Sequence, residues 1–553
     1  MLLGKARQIV VSRLLLDRAV SADPPAGIDF AAAFSQPRLA AFASIYATQS
    51  ERFAADCLKL HHGEFTSNGV SHSFGSPSNV RWHGALDGAE YVRWQHDLAY
   101  FAFAPALITT DPEQGIPTLV SLIRALEAQL VADATELRRF HWSPIAVASR
   151  TMGLASAMAL VPPGTVQFGR DAVNAVGAHM WRCWRILRLT VERYLGFNHA
   201  ATTEAGLLIA SLLIGREDSA AASLAKFVAT IERSILRDGM WAERSPTYHL
   251  HMLVLVDGVK SMLETADPSR LQLERLSQRM RAALDAVVHP DGDVAVFNDA
   301  AIGDAPTPAA LGWVPHQIPA LVVLPEAGYA RLSRGNTVAI MDAGPMGPDP
   351  VLAHGHADFL SVEVSIDGKR LIVDPGVASM SDDQKRHWSR SASSHNGPTV
   401  SGCEPAEFLS AWKVGRRGTA YFDEITESTK GSIAVAGECT GYSPWGITVR
   451  RKITLERDGT LCIEDEWVGP SDRDFRVAFL IPEWWIIARK NASSIDVSDS
   501  DGRQLEMIFE GGKVARISSS HWFLKGPLSQ RPATMIEIHP TSRDLLTTIS
   551  RVV

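Results

Sequence analysis

The sequence predicts a multidomain α+β chain, with helices over residues 1–322 and an antiparallel β-sandwich over 323–553. Three observations predict it. From Tyr91 to about Leu324, apolar residues recur three and four apart, the spacing of a helix with one buried face. After Pro325 the chain changes to alternating runs rich in Val, Ile and Thr, closed by Asp-Gly and Gly turns. A Pro-rich connection, Leu311 to Gly328, separates the two patterns. A chain of 553 residues also exceeds what one compact core serves, so two or three domains are expected.

Residues 1–60 are Ala-rich and apolar at helical spacing, with a break at Pro24-Pro25-Ala26-Gly27. Met1 to Val20 reads as an amphipathic helix. Arg13 interrupts the apolar run that a secretory leader needs, so the expected location is the cytoplasm, with the periplasm as the alternative. Gly63 to Gly84 changes character, and its Gly, Ser and Asn residues suggest a short hairpin or an irregular connection. Helices then fit Pro117–Ala132, Ser143–Leu160, Val173–Leu195, Thr203–Ile214, Ala220–Leu236, Tyr248–Glu264 and Leu271–Val288. Short breaks such as Val161-Pro-Pro-Gly164 imply stacked helix hairpins, a solenoid or a closed α/α toroid. No motif at fixed period chooses among them. In the β part, Ile447 to Trp467 is the clearest hairpin. Ile453 and Leu455 share a face with Leu461 and Ile463 across an Asp458-Gly459 turn.

Composition narrows the function. Hydrophobic residues make up 46% and charged residues 21%, an ordinary globular balance. A formal net charge of -7 argues against general nucleic-acid binding but leaves room for a local basic cleft. The five cysteines form no C-x-x-C pair, and most of them read as buried thiols. No apolar run approaches the roughly 20 residues of a membrane span.

The stretch Ala353 to Asp374 concentrates the chemistry. His354 and His356 precede a hairpin turning at Asp367-Gly368, which delivers Asp374. His395 follows in Ser393-Ser394-His395-Asn396. One histidine of the pair, with Asp374 and His395, makes a three-ligand zinc site chemically reasonable and leaves the other histidine for chemistry. Simple pairing about the turn places Asp374 opposite Ser361, five residues from His356. The loop must therefore fold back across the hairpin, which Gly355 eases.

Three further stretches carry candidates. Asn198-His199 precedes an apolar helix that Thr202 or Thr203 can cap; Asn198 equally reads as the residue that ends one helix. Asp238 to His251 packs Trp, Glu, Arg, Tyr and His between apolar helices, with Tyr248 and His251 on one face if the helix begins at Pro246. Arg386-His387-Trp388-Ser389-Arg390 combines guanidinium forks that bind carboxylates with an indole that stacks on sugars.

Together these stretches resemble the heparinase II/III-like polysaccharide lyases. The resemblance rests on His354-Gly-His356-Ala-Asp358, Asp374-Pro-Gly376, Arg390-Ser391, His395-Asn396, Asn198-His199 and Ser245-Pro-Thr-Tyr248-His249, within Trp181 to Gly402. It implies an incomplete α/α toroid followed by a β-sandwich. It also implies β-elimination at a uronic acid in an anionic polysaccharide or oligosaccharide, giving 4,5-unsaturated ends. Asn198 would neutralise the uronate carboxylate, with help from His199. Tyr248 would be base and acid, and His354 its partner. Substrate contacts would come from His199, Arg244, His249, Trp388 and Arg390. A structural zinc would sit on His356, Asp374 and His395. Met380 stands where relatives often carry an aromatic residue, and Trp388 where many carry Tyr.

Two rivals are a glycoside hydrolase using Glu204 and Glu243, and a non-catalytic glycan-binding or exopolysaccharide-assembly protein. No nucleic-acid partner or membrane span is expected, and a homo-oligomer is compatible with the sequence.

Overall fold

The computed structural model describes residues 22–82, 91–132, 140–162, 170–314, 316–429, 431–470, 473–523 and 530–552. The amphipathic helix expected over Met1 to Val20 lies outside the described residues. Helices dominate the first part: α1 (Phe30–Phe34), α2 (Pro37–Tyr46), α3 (Tyr91–Ala99), α4 (Ala104–Thr110), α5 (Pro112–Ala132), α6 (Pro144–Ala159) and α7 (Arg170–Thr190). They continue with α8 (Phe197–Leu213), α9 (Glu217–Ser234), α10 (Pro246–Ser261) and α11 (Pro268–Ala283). Glu64 to Ser73 is the expected hairpin, β1 (Glu64–Ser67) and β2 (Val70–Ser73), turning through Asn68 and Gly69 at φ 50 and 81.

The helix-to-strand switch falls at Leu321, but compactness divides the chain differently. One unit comprises residues 1–234 and 251–278; the other comprises 235–250 and 279–553. The segment that carries Tyr248 therefore belongs with the sheets, although its sequence reads as part of the helical run.

In the first unit, α6 packs against α7, α7 against α8 and α8 against α9, within the fold of an α/α toroid. Its centre is α8, buried over nearly its whole length from Asn198 to Leu213. A helix apolar on every side must be surrounded. Its neighbour α6 is capped by Ser143, which accepts the Ala146 N–H at 3.4 Å. The two helices approach closely because small residues face each other. A Cβ on Gly206 would lie 2.6 Å from Ala148 Cα.

The second unit is antiparallel throughout. Strands β3 (Leu321–Leu324), β4 (Tyr329–Arg334), β5 (Thr337–Asp342), β6 (Val362–Ile366) and β7 (Lys369–Ile372) form a five-stranded meander. An eight-stranded and a four-stranded sheet follow, and one core joins residues of all three. The hairpin read at Ile447 to Trp467 pairs Ile453 with Ile463 and Leu455 with Leu461, its faces alternating in burial. Inside this core Arg451 forks onto Asp465 at 2.7 and 2.9 Å and donates to the carbonyls of Leu360 and Asn396. A buried ion pair thus anchors the loops that carry the histidines. Among the described residues, no helix is long and apolar enough to cross a membrane.

Candidate active site

Ser245-Pro246-Thr247-Tyr248 is a helix start. Pro246 opens α10, where its missing N–H costs nothing, and the Tyr248 N–H donates to Ser245 Oγ at 3.3 Å. The same hydroxyl donates to the Asp299 carbonyl at 2.6 Å. Thr247 Oγ1 donates to the Ala301 carbonyl and accepts the Ala301 N–H, at 3.2 and 3.0 Å. The first turn of α10 is therefore pinned to residues 299–301.

That segment also holds the histidine loop. Asp299 is buried. Its Oδ2 accepts from His354 Nδ1 at 2.9 Å and its Oδ1 from His356 Nε2 at 2.8 Å. The guanidinium of Arg386, which lies on the short helix α12 (Gln384–Arg390), forks onto both oxygens, with the Oδ2 arm at 2.9 Å. Burial alone would raise Asp299, but Arg386 and the two imidazoles carry it well below the usual carboxylate range. An ionised carboxylate only accepts, so each imidazole must donate to it. With Nδ1 donating, the neutral form of His354 carries its lone pair on Nε2, and His356 carries its own on Nδ1. One carboxylate fixes opposite tautomers on two histidines two residues apart. Burial pushes His356 down to about 3, so that ring is neutral.

Tyr248 is half-buried, and its ring lies 4.0 Å from that of His354, centroid to centroid. His354 Nε2 is 3.7 Å from Glu243 Oε1. The half-exposed indole of Trp412 meets His354 edge-on at 6.3 Å and carries Arg386 over its face at 4.8 Å. A phenol, an imidazole and an exposed indole therefore lie together, and the first two can act as proton-transfer groups.

The loop folds back as the spacing demanded, though Gly355 serves by close approach. A Cβ there would meet the Met346 carbonyl oxygen at 2.1 Å. Asn298, at φ 57, accepts the His356 N–H through Oδ1 at 2.9 Å and donates its own N–H to Asp358 at 2.7 Å. In the hairpin behind it, a bulge between Val364 and Ser365 shifts the simple register. Ser361 Oγ still reaches Asp374 Oδ2 at 3.2 Å.

His356, Asp374 and His395 come together. His395 Nδ1 donates to Asp374 Oδ2 at 2.8 Å, and the rings of His356 and His395 are 5.5 Å apart. Burial opposes charge on His395, yet Asp374 pushes its pKa up. Among the described residues, His356 Nδ1 and His395 Nε2 are buried without a hydrogen-bond partner. Two open imidazole nitrogens, each backed by a carboxylate, are ligand types that zinc takes. Among the described residues no group of three or more His, Cys, Asp or Glu is arranged to hold a metal ion; Asp374 stands behind His395 and orients it.

Three expected substrate contacts are corrected. His249 is buried, with Nδ1 accepting the Trp241 N–H at 3.1 Å and Nε2 on the Met280 carbonyl at 2.9 Å; neither nitrogen is left for a ligand. Arg244 is buried and donates to the carbonyls of Ala242 and Glu326. Arg390 donates to those of Leu352, Gly355, Ser410 and Ala411, so it clamps loops. Trp388 is half-buried, edge-on to Phe523 at 6.4 Å.

Asn198 and His199 lie in the first unit. Helix α8 begins at Phe197, well before Thr202 or Thr203, so both residues sit in its first turn. His199 Nδ1 pairs with Glu192 Oε2 at 2.6 Å, and Thr203 Oγ1 donates back to the His199 carbonyl at 2.7 Å. The caps read for Thr202 and Thr203 are thus replaced by a hydroxyl bonded within the helix.

Asn298, Asp299 and Trp412 escape the sequence reading, which takes Arg386 only as part of a ligand fork. The one available signal for the first two is Asn298-Asp299 itself, a polar pair interrupting the apolar run Val294 to Ala301.

Residues 317–550 match the family model described as Heparinase II/III-like, C-terminal. Among solved structures, the crystal structure of a heparinase III is similar with TM-score 0.69 at 14% identity, covering 98% of this chain and 89% of that one. A second heparinase III, the BT4657 gene product, gives 0.58 at 15%, covering 98% and 89%. A heparan sulfate lyase from Pedobacter heparinus gives 0.55 at 15%, covering 98% and 88%. At these identities the likeness concerns the fold. A search of the curated proteins gives no match.

Proposed function

From the match of residues 317–550 to the heparinase II/III-like C-terminal family model, we propose that the chain is a polysaccharide lyase acting on uronate-containing anionic glycans. The observation that carries the proposal is the Tyr248 ring against His354, 4.0 Å apart, with the imidazole oriented by Asp299 through Nδ1.

In β-elimination a base removes the C5 proton of the uronate, the C4–O bond breaks, and the leaving oxygen takes a proton. The product carries a C4–C5 double bond. Tyr248 is proposed to take the C5 proton and to return one to the leaving oxygen, with His354 Nε2 as the second proton-transfer group. Each positioned group contributes roughly 10²–10⁴-fold. The C5 proton is weakly acidic while the carboxylate is charged, so that charge must be met by hydrogen-bond donors. The resemblance gives this role to Asn198, with His199 beside it in the first turn of α8. Trp412 offers a stacking face, and Trp388 remains a candidate second one.

Zinc is proposed on His356 Nδ1 and His395 Nε2, with Asp374 as third ligand or as the carboxylate behind His395. When bound, such an ion supplies a cross-link between the histidine loop and the hairpin. Replacing His356 by Ala is expected to lower metal content by elemental analysis and the thermal midpoint together. Unchanged metal content would remove the assignment.

The decisive experiment offers alginate, heparan sulfate, chondroitin and hyaluronan and follows the ultraviolet absorbance of unsaturated uronate. Tyr248→Phe should lose turnover by about 10²-fold or more while folding normally. Full activity in that variant ends the base assignment. New reducing ends without absorbance would point to hydrolysis. The residues give hydrolysis little support: Glu204 is buried against Arg193 at 2.5 Å, and Glu243 is buried and held by the Trp241 indole at 2.7 Å.

A further inference from the structure

A second aromatic and basic cluster lies in the first unit, and none of the groups described above uses it. On α7, Trp181 and Trp184 are stacked with centroids 5.2 Å apart and planes 23° apart. A spacing of four in each case places Arg185 over Trp181 at 6.0 Å and Arg188 over Trp184 at 5.0 Å. Arg216, in the turn between α8 and α9, covers Trp184 at 6.0 Å. Trp184, Arg188 and Arg216, with Glu217 and Asp218, line a concavity of about 600 Å³.

The charges there are unbalanced. Glu217 is paired with Arg38 at 2.6 Å, and Arg182 is paired with Glu127 at 2.8 Å. Among the described residues, Arg185, Arg188 and Arg216 have no carboxylate partner. Arg188 and Arg216 are exposed, and both indoles are half-buried, their N–H atoms buried with no acceptor among the described residues. On a chain of net charge -7 this is a local excess of cations around stacked aromatic faces. Helix α8 separates the concavity from Asn198. Asn198 is in its first turn, and Leu213 ends it about 22 Å further along at the rise of a helix, with Gly215 just beyond.

We propose that this face is a non-catalytic binding site for an anionic saccharide, a proposal that rests on the polysaccharide reading above. The indoles would stack on the apolar faces of sugar rings, and the guanidinium forks would take carboxylate or sulfate groups. Asp218 and Glu217 would accept hydroxyl hydrogen bonds. This mixture suits a hydroxyl-rich anion better than a phosphate backbone. A volume of about 600 Å³ falls within the range of small-ligand sites. Such a site would retain long chains during repeated cleavage and add little for short oligosaccharides.

The test measures retention of the full chain, carrying Tyr248→Phe to prevent cleavage, on immobilised heparan sulfate and alginate, with neutral dextran as control. Adding Arg188→Glu and Arg216→Glu should weaken polymer affinity at least about tenfold. The same pair in the active protein should leave cleavage of short oligosaccharides unchanged. Because both arginines are exposed, the variant should fold; circular dichroism checks this, and Trp184→Phe with weakened retention gives a second, charge-neutral test. Unchanged affinity in the arginine variant overturns the proposal. So does equal retention on dextran, or no retention of either polymer. Retention that depends on Arg188 and Arg216, without unsaturated product from the active protein, would sink the lyase reading and leave this site standing.

Discussion

The loop around His354 and the arginine face of α7 use the same residue types in opposite ways. Around His354 the guanidiniums are buried and partnered. Arg386 is fully buried on Asp299, and Arg390 is fully buried on four carbonyls. On α7 and the turn after α8, guanidiniums lie over indoles with no carboxylate beneath them. The first region fixes tautomers and ring positions before any ligand arrives. The second keeps adjustable donors on a surface. Preorganised groups suit a reaction whose geometry must be held, and mobile cations suit a polymer that must be gripped and released.

The largest effect should come from breaking the buried side of this comparison. Asp299→Ala would leave Arg386 as a buried charge without its partner, at a cost of about 3–5 kcal/mol. It would also release the tautomers of His354 and His356. Chemical denaturation should show a much lower midpoint, and turnover should fall with it. A variant of near-normal stability would mean that Asp299 does not organise the loop.

Much of this was legible in the sequence, and the limits have physical causes. Ser245-Pro246-Thr247-Tyr248 and the Asp458-Gly459 hairpin are local structures, so their residues announce them. The histidine loop was legible as donors at suitable spacing. Asp299 was not, because its role exists only where residues 55, 57 and 87 positions away converge on it. Arg390 misled for a related reason. A guanidinium beside a tryptophan reads as a ligand fork, but burial turned it into a donor for backbone carbonyls. His249 shares its stretch with Tyr248, yet on the following helix position its ring points into the interior.

His249 sharpens the comparison through pH. Its Nδ1 accepts and its Nε2 donates, so the ring must be neutral, and burial holds its pKa down to about 4. The unfolded chain titrates near 6.5. Between those values the unfolded state binds the extra proton, so stability present above pH 6.5 is lost as pH falls towards 4. The loss attributable to this ring is about 2 kcal/mol between pH 6.5 and 5. His249→Gln should flatten that part of the stability profile, measured by urea midpoint against pH. An equally steep profile in the variant would place the acid sensitivity elsewhere.

The smallest effect belongs to the other side. Arg188→Glu with Arg216→Glu removes two exposed cation–π contacts, and the replaced side chains regain freedom in water. Exposed contacts of this kind are worth about 0.5–1 kcal/mol each before that recovery. Charge reversal also places two new carboxylates near Glu217 and Asp218, a repulsion screened within about 10 Å at ordinary salt. The expected change in unfolding free energy is therefore within about 1 kcal/mol, far below that of Asp299→Ala, and raising the salt should shrink it further. A loss as large as that of the buried network would show that the arginines hold α7 against the α8–α9 turn. The exposed face would then be a structural seam, built on the same logic as the histidine loop.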